Sequence, residues 1–257
     1  MGALHLFGDS FTEGHLLDKT FHPYKEWKLY RGGELPLCWG DLLSKKLNMV
    51  MKNHAVGGMS NSEIFQKICK HSDEFEKDDI VIINWSYPSR FRWASCSDEN
   101  NKCRWVRLGG APHDGTVISE DTRTDIALQK TLIPCIEEIY EHEKLIYEYS
   151  KSKKFEVFFW SADIDIINNL PSEKLIDRKY ILHDEINSLP LIIQGENYIR
   201  INRPELKRTI FDVFHQYGAV TVGEETNWEV QDYHLGEKGH IIQSELFYKY
   251  ITEKKLI

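Results

Sequence analysis

The chain carries the sequence LHLFGDSFTEG at residues 4–14, close to its N-terminus. An apolar run opens this stretch and ends at Gly8-Asp9-Ser10, where a polar turn follows. The pattern predicts a buried β-strand that breaks into a loop at Ser10. Open α/β sheets bind their ligands at the carboxyl edge of the strands, so the Ser10 hydroxyl would lie at a ligand-binding edge. Because many serines only cap helices or bond to nearby backbone, a nucleophilic role requires a base and an oxyanion hole elsewhere in the chain.

The composition is that of an ordinary globular protein. The chain has 257 residues, 41% of them hydrophobic and 28% charged, which fits one large α/β domain and excludes a disordered chain. A net charge of -8 argues against a nucleic-acid or anionic-membrane partner bound by bulk electrostatics. No apolar run approaches the roughly 18 residues that span a bilayer, and the first apolar run is too short for a signal peptide. We therefore expect a cytoplasmic protein with no nucleic-acid and no membrane partner, of open oligomeric state.

The five cysteines are scattered along the chain and form no C-x-x-C pair. An odd set without that spacing predicts reduced thiols, as is usual in the cytosol. Cys96 and Cys103 are close enough in sequence to close a small loop. A disulfide between these two residues is the alternative to reduced thiols.

Strand patterns alternate with helix patterns along the chain, which predicts a mostly parallel α/β sheet. The predicted strands lie near residues 1–8, 49–51, 80–83 and 155–160. The predicted helices lie near residues 38–47, 60–71, 124–151, 204–217 and 240–252. Ser60 or Asn61 is the predicted N-cap of the second helix, with Glu63 in its first turn. We expect a single domain over residues 1–257, with insertions at about 16–38, 91–122 and 164–203.

Three predicted strand ends carry polar groups suited to acyl transfer. A serine is a weak nucleophile until a base takes its proton, and the base needs a group that holds its tautomer. His234 is the candidate base, and Asp232 is the candidate group that orients it. Gly58 can offer a backbone N–H to a developing oxyanion, beside the N–H of the serine itself. Asn84 or Ser86 can offer a side-chain donor to the same oxyanion.

Taken in order, these residues resemble the SGNH/GDSL hydrolase family over most of the chain. Gly8-Asp9-Ser10 matches the first block of that family, which carries the nucleophilic serine. His234 followed by Gly239 matches the last block, in which the catalytic histidine precedes a small turn and the final helix. The resemblance implies a flavodoxin-like three-layer α/β/α sandwich with a mostly parallel central sheet.

The middle blocks match less closely. Asn53 followed by Gly58 looks like the second block, whose glycine helps to form the oxyanion hole. The third block normally reads Gly-x-Asn-Asp after the third strand, whereas residues 84–87 of this chain read NWSY. Either Asn84 or Ser86 then replaces the asparagine donor of the family. We favour Asn84 slightly, because an amide N–H reaches further than a hydroxyl.

The last block also departs from the family in its spacing. The family places an aspartate three residues before the histidine, whereas Asp232 lies two residues before His234. This D-x-H spacing is similar to that of the alginate acetyltransferase-like branch, so a Ser-His-Asp triad and a Ser–His dyad are both open. Asp9 and Arg90 are the candidate substrate-binding residues. Arg90 would bind a substrate carboxylate or sugar hydroxyl, unless it forms a surface ion pair.

The leading interpretation is a serine hydrolase that cleaves an O-acetyl or short acyl ester on a small molecule or a carbohydrate. The same site could instead transfer an acetyl group to a sugar acceptor. The altered third block also leaves open a non-catalytic glycan-binding module on this fold. No cofactor and no metal are expected, because His234 and His240 lack accompanying carboxylates at a familiar ligand spacing. His240 is expected to be a structural residue at the start of the last helix.

Overall fold

The computed structural model describes residues 2–14, 37–87, 90–97, 102–108, 132–162, 179–182, 210–226 and 234–254. Asp232 lies outside the described residues, as do most of the predicted insertions. Residues 124–131 and 204–209, at the starts of two predicted helices, also lie outside them.

Strands and helices alternate along the described chain, as the sequence predicts. The strands are β1 (Ala3–Phe7), β2 (Val50–Asn53), β3 (Ile80–Trp85), β4 (Phe91–Ser97), β5 (Lys102–Leu108) and β6 (Glu156–Ser161). The helices are α1 (Ser10–Glu13), α2 (Trp39–Leu47), α3 (Asn61–His71), α4 (Leu132–Lys153), α5 (Ile210–Gln216), α6 (Val222–Thr226) and α7 (Glu237–Lys254), with a 3-10 turn at Ser72–Glu74. None of the described helices is long and apolar enough to cross a bilayer.

Strand β1 lies inside a parallel sheet. The strand order is β2-β1-β3-β6, and each neighbouring pair is parallel. The chain therefore adds strands first on one side of β1 and then on the other, which is the flavodoxin-like, doubly wound order. In such sheets the ligand crevice lies where the order reverses, here outside the carboxyl ends of β1 and β3.

Helices cover both faces of this sheet. Strands β3 and β6 pair so that Trp85 and Trp160 point to opposite faces. Trp160 packs edge-on against Trp39 of α2 and Phe247 of α7, with ring centroids 6.0 and 5.6 Å away. On the other face, Trp85 donates a 2.8 Å hydrogen bond to the buried Glu143 of α4. The predicted three-layer α/β/α sandwich is confirmed, and burial on both faces explains the continuous apolar run of β3.

The predicted start of α3 is confirmed in detail. Ser60 is the N-cap, and Glu63 Oε2 accepts hydrogen bonds from its backbone N–H at 2.9 Å and from its hydroxyl at 2.8 Å. The final helix is also confirmed, although it begins at Glu237 rather than near residue 240. His240 lies in its first turn and accepts a hydrogen bond from the backbone N–H of Trp39 at 3.3 Å, which is the structural role expected for it.

The sequence prediction of a loop at Ser10 is wrong, because helix α1 begins there, and the 3-10 turn was not predicted either. Two further described elements are absent from the sequence prediction. Strands β4 and β5 form an antiparallel hairpin inside the region interpreted as a polar insertion. Its register places Cys96 opposite Cys103, which leaves the disulfide alternative open. Helix α6 is the second element, a single short segment of five residues. Whether a segment forms a hairpin strand depends on its partner strand more than on its own composition. A hairpin in a polar stretch is therefore not evident from the sequence.

Candidate active site

Ser10 lies directly after β1, as the first residue of α1, and is only 6% exposed. The preceding Gly8 has no room for a side chain. A Cβ there would lie 2.4 Å from Thr12 Oγ1 and 2.8 Å from the Cβ of Asn84. The glycine therefore allows the ends of β1 and β3 to approach each other closely beside Ser10.

The carboxylate of Asp9 is the centre of the polar network at this edge. Its Oδ1 accepts hydrogen bonds from the backbone N–H of Phe11 at 3.1 Å and from Asn84 Nδ2 at 2.9 Å. Its Oδ2 accepts from Ser86 Oγ at 2.8 Å and from Arg90 Nη1 at 2.7 Å. Asp9 is 1% exposed, and a buried carboxylate is tolerated only when it is paired and hydrogen-bonded in this way.

These contacts locate four of the predicted site residues. Asn84 and Ser86 both direct their side chains to Asp9, and Arg90 Nη1 also donates to Ser86 Oγ at 2.8 Å. The Arg90 guanidinium lies over the ring of Tyr87, with 4.9 Å between its central carbon and the ring centroid. Arg90 therefore joins a buried network rather than a surface ion pair. The substrate-binding role of Asp9 and Arg90 stays a prediction.

Asn61 and Glu13, which the sequence analysis did not assign to the site, hold its loops together. The side-chain amide of Asn61 donates to the backbone oxygen of Ser86 at 2.9 Å and accepts from its N–H at 2.7 Å. Glu13 Oε2 accepts from the backbone N–H of Gly57 at 2.6 Å, and burial raises the pKa of this carboxyl. Asn61 thus fixes the loop after β3, and Glu13 fixes the loop that carries Gly58.

The candidate oxyanion hole is formed by backbone N–H groups that donate to no acceptor in the part of the chain that the structure describes. They are the N–H groups of Ser10 and Gly58, neither of which bonds to a described residue. Gly58 has φ +75°, a left-handed conformation that glycine adopts without strain. Preorganised backbone N–H groups of this kind are what an oxyanion hole requires.

His234 is held by backbone pairing to the start of α6 and the residue before it. Its carbonyl accepts from the N–H of Val222 at 2.8 Å, and the next residue forms an antiparallel bridge with Thr221. Its ring stacks on Phe11, with centroids 4.9 Å apart. Gly239 lets α7 approach this segment, since a Cβ there would lie 2.9 Å from Leu235. This close approach explains why position 239, after His234 in the sequence, is a glycine.

One pocket brings Ser10 and His234 together. Phe11, Trp160 and Phe211 supply apolar walls, and the remaining lining residues are Gly14, Leu235, His240 and Gln243. The amide of Gln243 and the indole N–H of Trp160 are buried and bond to no described residue. The structure shows no direct hydrogen bond between Ser10 Oγ and the His234 ring. Among the described residues, a group with the composition of a metal site consists of His54, His71 and Glu74. None of these three residues lines the pocket.

No protein-family model and no curated protein matches this chain. Among solved structures, the chain is similar to a protein assigned to the lipolytic G-D-S-L family from Desulfitobacterium hafniense. The two share 11% identity over 97% of this chain and 99% of that one, with a TM-score of 0.45. It is also similar to the YXIM protein of Bacillus subtilis, at 12% identity and a TM-score of 0.44, over 99% of this chain and 57% of that one.

The buried position of the Asp9 carboxylate predicts a large loss of stability in Asp9→Asn. The variant leaves Arg90 without its ion-pair partner and places an amide NH₂ against hydrogen-bond donors. We expect the free energy of unfolding to fall by about 3–5 kcal/mol, as when one partner of a buried pair is removed. Urea denaturation followed by circular dichroism measures this loss.

The matched control is Glu148→Gln, which removes an exposed carboxylate that pairs with Lys151 at 3.1 Å. Exposed pairs contribute little, so we expect a change below about 0.5 kcal/mol. Equal losses in the two variants would contradict the central position given to Asp9.

Proposed function

We propose that the protein is a serine esterase of the SGNH type that cleaves an O-acetyl or short acyl ester on a small molecule or carbohydrate. The observation that carries the proposal is the shared pocket of Ser10 and His234. The pocket lies at the carboxyl edge of the sheet, beside the point where the strand order reverses. Open α/β sheets bind ligands at this position.

The proposed reaction assigns a role to each group of the candidate site. Ser10 Oγ attacks the ester carbonyl carbon while His234 takes its proton. The N–H groups of Ser10 and Gly58 stabilise the oxyanion of the tetrahedral intermediate. The intermediate collapses, the alcohol leaves with the proton from His234, and an acyl-serine remains. Water, activated by His234, then releases the acid and restores the serine, and Asp232 is assigned the orientation of the imidazole.

The walls of the pocket support a short acyl group. Phe11, Trp160 and Phe211 give it apolar walls next to Ser10, which suit a methyl or short alkyl chain.

The hydrogen bonds to Asp9 favour Asn84 over Ser86 as the side-chain donor to the oxyanion. The single hydroxyl hydrogen of Ser86 is donated to Asp9 Oδ2. The Asn84 amide donates one hydrogen to Asp9 Oδ1 and has a second one on the same nitrogen. We therefore assign Asn84 as a donor and Ser86 as a positioning residue.

Removal of the nucleophile tests the proposal directly. For Ser10→Ala we expect kcat/KM for p-nitrophenyl acetate to fall by about 10⁴-fold or more, because loss of a serine nucleophile removes most of the rate enhancement. Ser152→Ala is the matched control, because its hydroxyl lies on an exposed turn of α4 and bonds only to a local carbonyl. A Ser10→Ala variant that keeps wild-type turnover would exclude the proposed mechanism.

Asn84→Ala and Ser86→Ala separate the two candidate donors. We expect kcat to fall by about 10²–10³-fold in Asn84→Ala, as for loss of one oxyanion donor, and by less than tenfold in Ser86→Ala. Both variants lose a hydrogen bond to Asp9, so urea midpoints show whether their stabilities match. A larger loss of kcat in Ser86→Ala at matched stability would reverse the assignment.

A further inference from the structure

A second cluster of chemically active side chains lies where β2 and α3 end. His54 follows β2, His71 is the last residue of α3, and Glu74 belongs to the 3-10 turn that comes next. One nitrogen or oxygen atom from each lies within 4.8 Å of the others. The two imidazole rings have centroids 4.1 Å apart, and His71 Nδ1 lies 2.7 Å from Glu74 Oε1.

A buried chain of hydrogen bonds through His5 and Asp79 orients the ring of His54. Asp79 Oδ2 lies 3.2 Å from His5 Nε2, so that nitrogen carries the proton and donates to the carboxylate. The other nitrogen of a neutral His5, Nδ1, then accepts from His54 Nε2 at 3.3 Å. This assignment leaves the lone pair of the His54 ring on Nδ1. His5 is fully buried and Asp79 is 3% exposed, so the arrangement is built into the core.

We propose that His54, His71 and Glu74 bind one divalent transition-metal ion, with zinc as the expected occupant. Two imidazoles and one carboxylate form a familiar zinc ligand set that leaves a fourth position for water. Imidazole ligands disfavour magnesium and calcium, which prefer oxygen. The proposal departs from the expectation of no metal drawn from the sequence, because that expectation considered only His234 and His240.

The second shell of this cluster matches what metal ligands require. A ligating histidine usually donates its other ring N–H to a further acceptor, which fixes the tautomer and the ring orientation. His5, backed by Asp79, supplies that acceptor to His54. The metal would take the place of the proton between His71 and Glu74. Ligand atoms around tetrahedral zinc lie about 3.3 Å apart, so the 2.7 Å pair of His71 Nδ1 and Glu74 Oε1 must widen slightly, which the exposed Glu74 side chain permits.

Lys52 is a group that opposes metal binding. Its Nζ lies 3.3 Å from Glu74 Oε2, and both side chains are substantially exposed. Its positive charge would repel a cation held on the other carboxylate oxygen. Removal of that charge should therefore tighten metal binding, whereas removal of a ligand should weaken it.

The position of His54 also indicates what the metal would stabilise. The backbone N–H of His54 donates to the carbonyl of Leu6 in β1 at 2.8 Å. The chain then runs directly into the loop that carries Gly57 and Gly58. A bound ion would fix the start of this loop to the end of α3. Metal binding at this cluster does not require that Ser10 and His234 act as an esterase.

The test is zinc titration of the tag-free, chelator-treated full chain by calorimetry, with cobalt absorbance as a second readout. We expect the wild-type chain to bind one zinc ion, and His71→Gln and Glu74→Gln each to weaken binding at least tenfold. Lys52→Met should tighten it. Magnesium and calcium should give no saturable heat under the same conditions.

Matched controls are His215→Gln and Glu148→Gln, which remove the same kinds of side chain outside the cluster and should bind zinc as the wild type does. Circular dichroism confirms that each variant is folded. Absence of saturable zinc binding in the wild-type chain would overturn the proposal. Wild-type affinity in folded His71→Gln and Glu74→Gln would overturn it equally, because the ion would then bind elsewhere.

Discussion

The buried carboxylate of Asp9 is the interaction on which the geometry of the candidate site depends. A carboxylate removed from water costs several kcal/mol unless donors and a countercharge replace the water. Here the countercharge is Arg90, and neutral donors come from α1 and from the end of β3. The Asp9 side chain therefore links the backbone just before Ser10 to the loop after β3.

The parallel sheet makes that interaction available. Because β1 and β3 are neighbours and run in the same direction, their carboxyl ends meet at one edge. Gly8 allows the close approach, and Asn61 and Glu13 then attach the start of α3 and the Gly57–Gly58 loop to the same edge. Glu13 thus holds the loop that carries Gly58, and Asn61 holds the residues that follow β3.

Local patterns in the sequence were sufficient to predict several of the strands and helices that carry the candidate site. The apolar run before Gly8 predicts β1, and the spacing of Ser60 and Glu63 predicts the start of α3, because both depend on neighbouring residues. The network around Asp9 could not be predicted in the same way, since its side-chain partners lie 75 to 81 residues away in sequence. Asn84 and Ser86 were identified as polar groups at a strand end, but their contacts with Asp9 appear only in the folded chain.

The central claim is that Ser10 is a nucleophile activated in its pocket, and covalent labelling tests it most directly. The full chain is treated with a fluorophosphonate and digested, and the modified peptide is identified by mass spectrometry. We expect one phosphonyl adduct per chain, on the peptide that carries Ser10, and slow or no labelling in His234→Ala. An unmodified wild-type chain, or an adduct on a different serine, would contradict it.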